Sequence, residues 1–266
     1  MKRILTAICL LPIFIFIVVW PSVWLFAALA AVAAVLAELE YFNIAKGGGF
    51  TPWKVLGVSW TLAFLAVALW PKSLQLEVVI SAGFLCLIVM TIFSRLDLKQ
   101  AFKTIASTIF GAFYVGFFLA YFIALKSQGD ERGKDLLLLL AFTVWAGDTA
   151  AYFVGSAIGK HKLAPSISPK KSWEGAIANV AASLITAYIA RLTFIQSIDG
   201  TDVIFLGAAI SIIGQLGDLF ESVLKRGADI KDSGSLLPGH GGILDRMDSL
   251  IFTAPVLYYY HQAFIK

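Results

Sequence analysis

The chain is patterned as long, nearly continuous apolar runs separated by short polar breaks. Nine such runs can be drawn, over about 4–20, 23–39, 53–71, 74–93, 104–125, 135–157, 174–195, 203–224 and 243–264. Each is close to the ~20 residues that a helix needs to cross a ~30 Å hydrocarbon core. In lipid the backbone must satisfy its own hydrogen bonds, which leaves helices or a closed barrel, and continuous rather than alternating runs select helices. The pattern predicts an all-α, polytopic integral membrane protein with about nine transmembrane helices, or eight if the first two runs form a short hairpin. Met1-Lys2-Arg3 followed by an apolar stretch and the Ala-rich segment 27–34 has the layout of a secretory signal. A second apolar run follows directly, so the expectation is an uncleaved first helix.

Composition strengthens this picture. The chain has 266 residues, 59% of them hydrophobic and 14% charged, and its mean hydropathy is +0.84. Soluble domains carry about 25% charged residues. The net charge of +4 is spread between apolar runs, with no basic stripe interleaved with aromatics, so nucleic acid is not an expected partner. With the N-terminus cytoplasmic, fifteen of the 21 Lys and Arg residues fall on the cytoplasmic side. The other six are Lys72, Lys126, Arg132, Lys134, Arg191 and Lys266. That bias sets an N-in orientation, with basic loops against anionic headgroups. Cys9 and Cys86 lie in apolar runs and supply neither a disulfide framework nor metal-ligand spacing.

The longer polar loops, 158–173 and 225–242, both fall on the cytoplasmic side and in the second half of the chain. The expected organisation is therefore an N-terminal scaffold over 1–95, a middle transmembrane region over 96–134, and a catalytic region over 135–266. No internal repeat is evident, which counts against a transporter built from inverted repeats.

Acids inside spanning helices are costly, and so are functional candidates. Asp148 lies about nine residues from the cytoplasmic end of its run, roughly 13 Å deep at 1.5 Å per residue. Asp218 and Glu221 share a helix face, as do Asp245 and Asp248 at the start of the last run. Oxygen-only donors favour Mg²⁺ completed by substrate phosphates, and Asp218, Asp248, Asp148 and Asp245 are the candidate metal ligands. Two alternatives stand beside this: Glu221 pairs with Lys225 one turn on, and Asp245 pairs with a neighbouring base without touching metal. Glu38 and Glu40 read as helix-end residues without chemistry.

Between the acids runs Lys225-Arg226, then Lys231-Asp232-Ser233-Gly234, then Pro238-Gly239-His240-Gly241-Gly242. Glycines let backbone N–H groups approach an anion, and Lys and Arg add charge and donors for phosphate. His240, flanked by glycines, is a candidate phosphate contact. The loop 160–174, carrying Ser168, Lys170 and Lys171, is a second basic element, although an ordinary positive-inside loop would look much the same. Carboxylates beside a basic glycine-rich loop describe a phosphoryl- or nucleotidyl-transfer site, without a P-loop.

Three stretches resemble the CDP-diacylglycerol synthase (phosphatidate cytidylyltransferase) family. They are Ser222 to Asp248, Gly147-Asp148-Thr149-Ala150-Ala151-Tyr152-Phe153 running on to Gly159-Lys160, and Ser168 to Gly175. The resemblance covers most of 145–250. It implies transfer of CMP from CTP to phosphatidic acid with release of pyrophosphate, Mg²⁺ as cofactor with a monovalent ion such as K⁺ beside it, and a homodimer. It also implies a bacterial-type plasma membrane with the active site facing the cytoplasm. On this reading Asp218, Asp248, Asp245, Lys225 and Arg226 carry the chemistry. Lys231, Asp232, Ser233, His240, Gly241, Gly242, Arg246, Ser168, Lys170, Lys171 and Ser222 bind substrate phosphate. A CTP-dependent kinase of polyprenol-type alcohols and an ion-coupled transporter are the rival readings.

Overall fold

A computed structural model describes residues 12–196, 198–236 and 241–265. After a helical stretch over 12–19, the helices are α1 (Val23–Gly47), α2 (Lys54–Leu69), α3 (Leu76–Ile92) and α4 (Leu98–Gly111). A π-helical turn, Ala112–Phe117, continues α4 into α5 (Phe118–Lys126). Then come α6 (Asp130–Ile158), strands β1 (Lys162–Ala164) and β2 (Ser168–Ser172), α7 (Trp173–Thr193), α8 (Gly200–Gly227) and α9 (Leu244–Phe264). The two short antiparallel strands form the only sheet among the described residues, so the class is all-α with one hairpin.

Among the described residues, five helical stretches are long and apolar enough to cross a bilayer: Val23–Gly47, Leu98–Lys126, Glu131–Ile158, Trp173–Thr193 and Gly200–Gly227. Helices α2 and α3 are apolar but only 16 and 17 residues long, about 24–26 Å at 1.5 Å per residue. Helix α9 has the length, but Asp245, Arg246, Asp248 and the Tyr258-to-Gln262 stretch dilute its apolar character. The first expected run lies partly outside the described residues. Local signals set several boundaries. Ser22, Asp97 and Ser172 accept hydrogen bonds from Leu25, Gln100 and Gly175 N–H at 3.3, 3.3 and 3.2 Å, capping α1, α4 and α7.

By internal contacts the chain divides into two units. One comprises the described residues up to Ser127 together with Leu224–Arg246, and the other Gln128–Val223 with Met247–Lys266. Trp60, Phe64, Val79 and Ala112 centre an aromatic core in the first unit. Trp60 stacks on Phe64 with ring centroids 6.0 Å apart, and Phe84 and Phe113 lie edge-on to it. Gly83 has no Cβ because the Trp60 indole occupies its place. Glu38 is fully buried here and accepts the Thr61 hydroxyl, so it is not the bland helix-end residue that its position suggests.

The second unit is packed through small residues, as in helix pairs that cannot rely on the hydrophobic effect in lipid. Gly147 lies against Asn179 and Ser183, Gly207 against Leu184 and Ala187, and Gly217 against the Asp248 backbone and Phe252. These contacts bring α6, α7, α8 and α9 within hydrogen-bonding distance of one another.

Candidate functional site

The second unit holds an acidic cluster. Asp148 on α6 and Asp218 and Glu221 on α8 all lie within electrostatic reach of Asp248 on α9. Glu221 is fully buried, Asp218 and Asp248 are half-buried, and Asp148 is exposed. The close approach of α8 and α9 is what makes this possible. A Cβ on Gly217 would stand 2.5 Å from the Asp248 carbonyl oxygen, so only glycine lets the two acid-bearing turns meet. Asp248 Oδ1 also accepts the Ser249 N–H at 2.7 Å.

Two partners of this cluster come from elsewhere in the same unit. Lys171, at the end of the β1–β2 hairpin, places Nζ 2.8 Å from Asp218 Oδ2. Asn179 on α7 donates from Nδ2 to Asp148 Oδ1 at 3.2 Å. Its own Oδ1 accepts from Ser211 at 2.6 Å and from Ser183 at 3.4 Å, and Gln215 Nε2 donates to Ser211 Oγ at 3.2 Å. A buried polar chain thus runs behind Asp148 and holds the carboxamide in one orientation. Sequence reasoning missed Asn179; the signal was an Asn inside an apolar run, one of the polar types that bond across helices in membranes.

The hairpin is itself tied down. His161 N–H and Nδ1 both reach Glu174 Oε1, at 3.2 and 2.7 Å, and Trp173 N–H donates to the His161 carbonyl at 2.9 Å. Gly155, Gly159 and Gly175 crowd the buried Ser172 hydroxyl, where any Cβ would be in contact or overlap. Lys170 and Lys160 are exposed on this element, and Ser168, half-buried, opens β2.

The first unit holds the other half of the motif, and it is organised differently. Asp245 is the hub. Its Oδ2 accepts from Ser233 N–H at 3.0 Å and Gly242 N–H at 2.8 Å, and its Oδ1 takes Lys225 Nζ at 2.6 Å. Both side chains of the ion pair are nearly buried, with 11% exposure for Lys225 and 7% for Asp245. The alternative in which Asp245 pairs with a neighbouring base is therefore the arrangement in the structure. Gly241 adopts a left-handed φ of 80°, which L side chains rarely tolerate.

Glu40, read from sequence as chemically idle, closes this ring from α1. It is 4% exposed and accepts from Ser233 Oγ at 3.1 Å, Ile243 N–H at 3.1 Å and Leu244 N–H at 2.8 Å. Gly234 and Gly242 lack side chains because a Cβ on either would overlap the Glu40 carboxylate. These two glycines therefore pack against an acid. The remaining loop residues face outward: Lys231, Asp232, Arg226 and Arg246 are exposed, and Ser222 is half-buried. Arg226 donates to the Ile230 carbonyl at 3.1 Å, closing the end of α8. His240 lies outside the described residues.

As the side chains stand, no group of three or more His, Cys, Asp or Glu among the described residues could hold a metal ion. The donor chemistry of the acidic cluster nevertheless fits a hard cation: Asp148, Asp218, Glu221 and Asp248 offer only oxygen, and their mutual repulsion favours a positive charge among them.

An integral-membrane helical protein with an acidic cluster on its helices and a loop held by carboxylates is the class that fold and site define. The chain belongs to the cytidylyltransferase family, whose model matches residues 1–264. It is 38% identical over 264 residues to a protein of Staphylococcus haemolyticus named phosphatidate cytidylyltransferase, covering 96% of each chain. Proteins of the same name from Bacillus subtilis and Thermotoga maritima are 39% and 38% identical over 178 and 184 residues. Those matches cover 67% of this chain in both cases, and 66% and 67% of the relatives.

Proposed function

We infer that this protein is a phosphatidate cytidylyltransferase, joining the CMP moiety of CTP to phosphatidic acid to give CDP-diacylglycerol and pyrophosphate. The observation that carries the reading is family membership along essentially the whole chain, with a full-length relative of that name. The acidic cluster, with Lys171 against Asp218 in the same unit, holds carboxylates and a base of the kind such a reaction needs.

The acceptor needs little activation. A phosphate monoester is largely dianionic at pH 7, because its second pKa is about 6. A phosphatidate oxygen attacks the α-phosphorus of CTP, the P–O bond to the β-phosphate breaks, and pyrophosphate leaves with that bonding pair. No general base is required. What the protein must supply is charge neutralisation and in-line alignment of two polyanions. Exposed Lys231 on the loop, Arg226 and Arg246 on the helix ends that flank it, and Lys170 and Lys171 on the hairpin are the candidate cations for this work. Ser168, Ser222, Asp232 and the Gly241 backbone are further candidate phosphate contacts, whereas the Gly242 N–H is taken by Asp245. Asp245 and Lys225 hold the loop in shape. Asp148, Asp218 and Asp248 would hold Mg²⁺, which offsets phosphate charge when bound; a monovalent ion such as K⁺ is the proposed companion.

The proposed topology has about nine spans with a cytoplasmic N-terminus and the site open to the cytoplasm, in a plasma membrane of bacterial type. The proposed assembly is a homodimer. The test is to supply CTP labelled in the α-phosphate, phosphatidate vesicles and Mg²⁺, and to identify the products. CDP-diacylglycerol with pyrophosphate is expected, and chelation of the divalent ion should abolish it. Release of CDP with a phosphorylated lipid would mean a kinase instead, and no CTP consumption would remove the reading.

A further inference from the structure

We propose that Glu40 is a positioning residue for the reaction, fixing the described ends of the loop, Lys231–Gly234 and Gly241–Asp245, in their working conformation from a helix outside the motif. The proposal rests on the reading of that loop as a phosphate-binding element. Its geometric basis is independent of that reading.

Three donors converge on the Glu40 carboxylate. Leu244 offers the first free N–H of α9, Ile243 the N–H just before it, and Ser233 its hydroxyl. A helix leaves its first N–H groups without internal partners, and an acid there is favoured by the helix dipole. Such a cap normally comes from the residue just before the helix. Here it comes from a residue 204 positions away in the sequence. The same Ser233 hydroxyl accepts the Asp245 N–H at 3.3 Å, while Asp245 Oδ2 takes the Ser233 N–H at 3.0 Å. Glu40, Ser233 and Asp245 thus form one interlocked set, and Lys225 is held through its last member.

The two glycines report the same constraint. Gly234 and Gly242 leave room for the carboxylate rather than for a ligand. If the site needed only a flexible anion-binding loop, nothing would require a buried acid there. A buried carboxylate with three matched donors is instead the arrangement expected where a backbone must hold one shape.

The experiment compares full-length Glu40→Gln and Glu40→Ala with the parent protein in detergent and phosphatidate vesicles. Both kinetics and backbone hydrogen exchange are measured. Glu40→Gln keeps the size but turns one acceptor into a donor facing N–H groups, so it remains informative if Glu40→Ala does not fold. Exchange in 231–246 should accelerate while 131–196 is unchanged. kcat/KM for CTP should fall by about a hundredfold for Glu40→Ala, the scale of a ~1 Å misplacement, and less for Glu40→Gln. The KM for phosphatidate should stay within a few-fold. Unchanged exchange in 231–246 would overturn the proposal, whatever the activity. Faster exchange with full turnover would show that Glu40 holds the loop but that the loop is not part of the site, overturning both the positioning role and the phosphate-binding reading. Asp248→Asn, assayed alongside, tests the carboxylate reading by itself.

Discussion

The two acidic clusters of this protein use the same side-chain chemistry for opposite ends. In the first unit, Glu40 and Asp245 are surrounded by donors: peptide N–H groups, a serine hydroxyl and the Lys225 ammonium. In the second, Asp248 has three other acids as its electrostatic neighbours, with Lys171 against Asp218 and Asn179 against Asp148. Acids matched to donors shape the backbone. Acids gathered against their mutual repulsion cost stability, a cost that a bound cation would offset. A carboxylate in a membrane helix is therefore not informative until its neighbours are known.

The sharpest way to break this comparison is to neutralise one acid in each cluster. Asp248→Asn and Asp218→Asn should each lower CDP-diacylglycerol formation by about a thousandfold, on the scale of losing a charge-stabilising group. Their melting temperature in detergent, without divalent ions, should hold or rise because a like charge has gone. Asp245→Asn should do the reverse to stability, costing about 3–5 kcal/mol, as when a buried ion pair loses one member. Thermal unfolding of the variants side by side checks the opposite signs; a fall for both would erase the distinction.

A smaller effect is expected at the glycine that makes room for Glu40. Gly242→Ala forces a methyl group into the Glu40 carboxylate and the Ser233 hydroxyl, and overpacking of this kind costs about 1–3 kcal/mol. Gly227→Ala serves as the control, since nothing lies within 4 Å of a Cβ there. The smallest effect belongs to Asn179→Ala, which leaves the acids in place but removes the donor that orients Asp148. Activity should fall about tenfold, within the range for partners one layer behind a ligand, and the Mg²⁺ concentration for half-activity should rise. A titration of Mg²⁺ reads both numbers.

Much of the site was legible because it is local. Asp218 with Glu221, and Asp245 with Asp248, sit at helical spacing within a few residues of the loop glycines, and Lys171 stands in a recognisable basic segment. Glu40 and Asn179 were not legible. Each sits in an apolar run, and nothing in its surrounding sequence names a partner. Asp245 shows the middle case: spacing marked it as an acid of the site, and it could not tell a metal ligand from the partner of Lys225.

The order of apolar runs by itself determined that this is a helical membrane protein, because a bilayer imposes the same requirement on every residue of a span. The motif by itself determined the family, because its residues lie close together along the chain. Tertiary structure decided which acids meet donors and which meet other acids. Ser233 and Leu244 find Glu40 across 193 and 204 residues of chain, and such a contact depends on packing that no local pattern encodes.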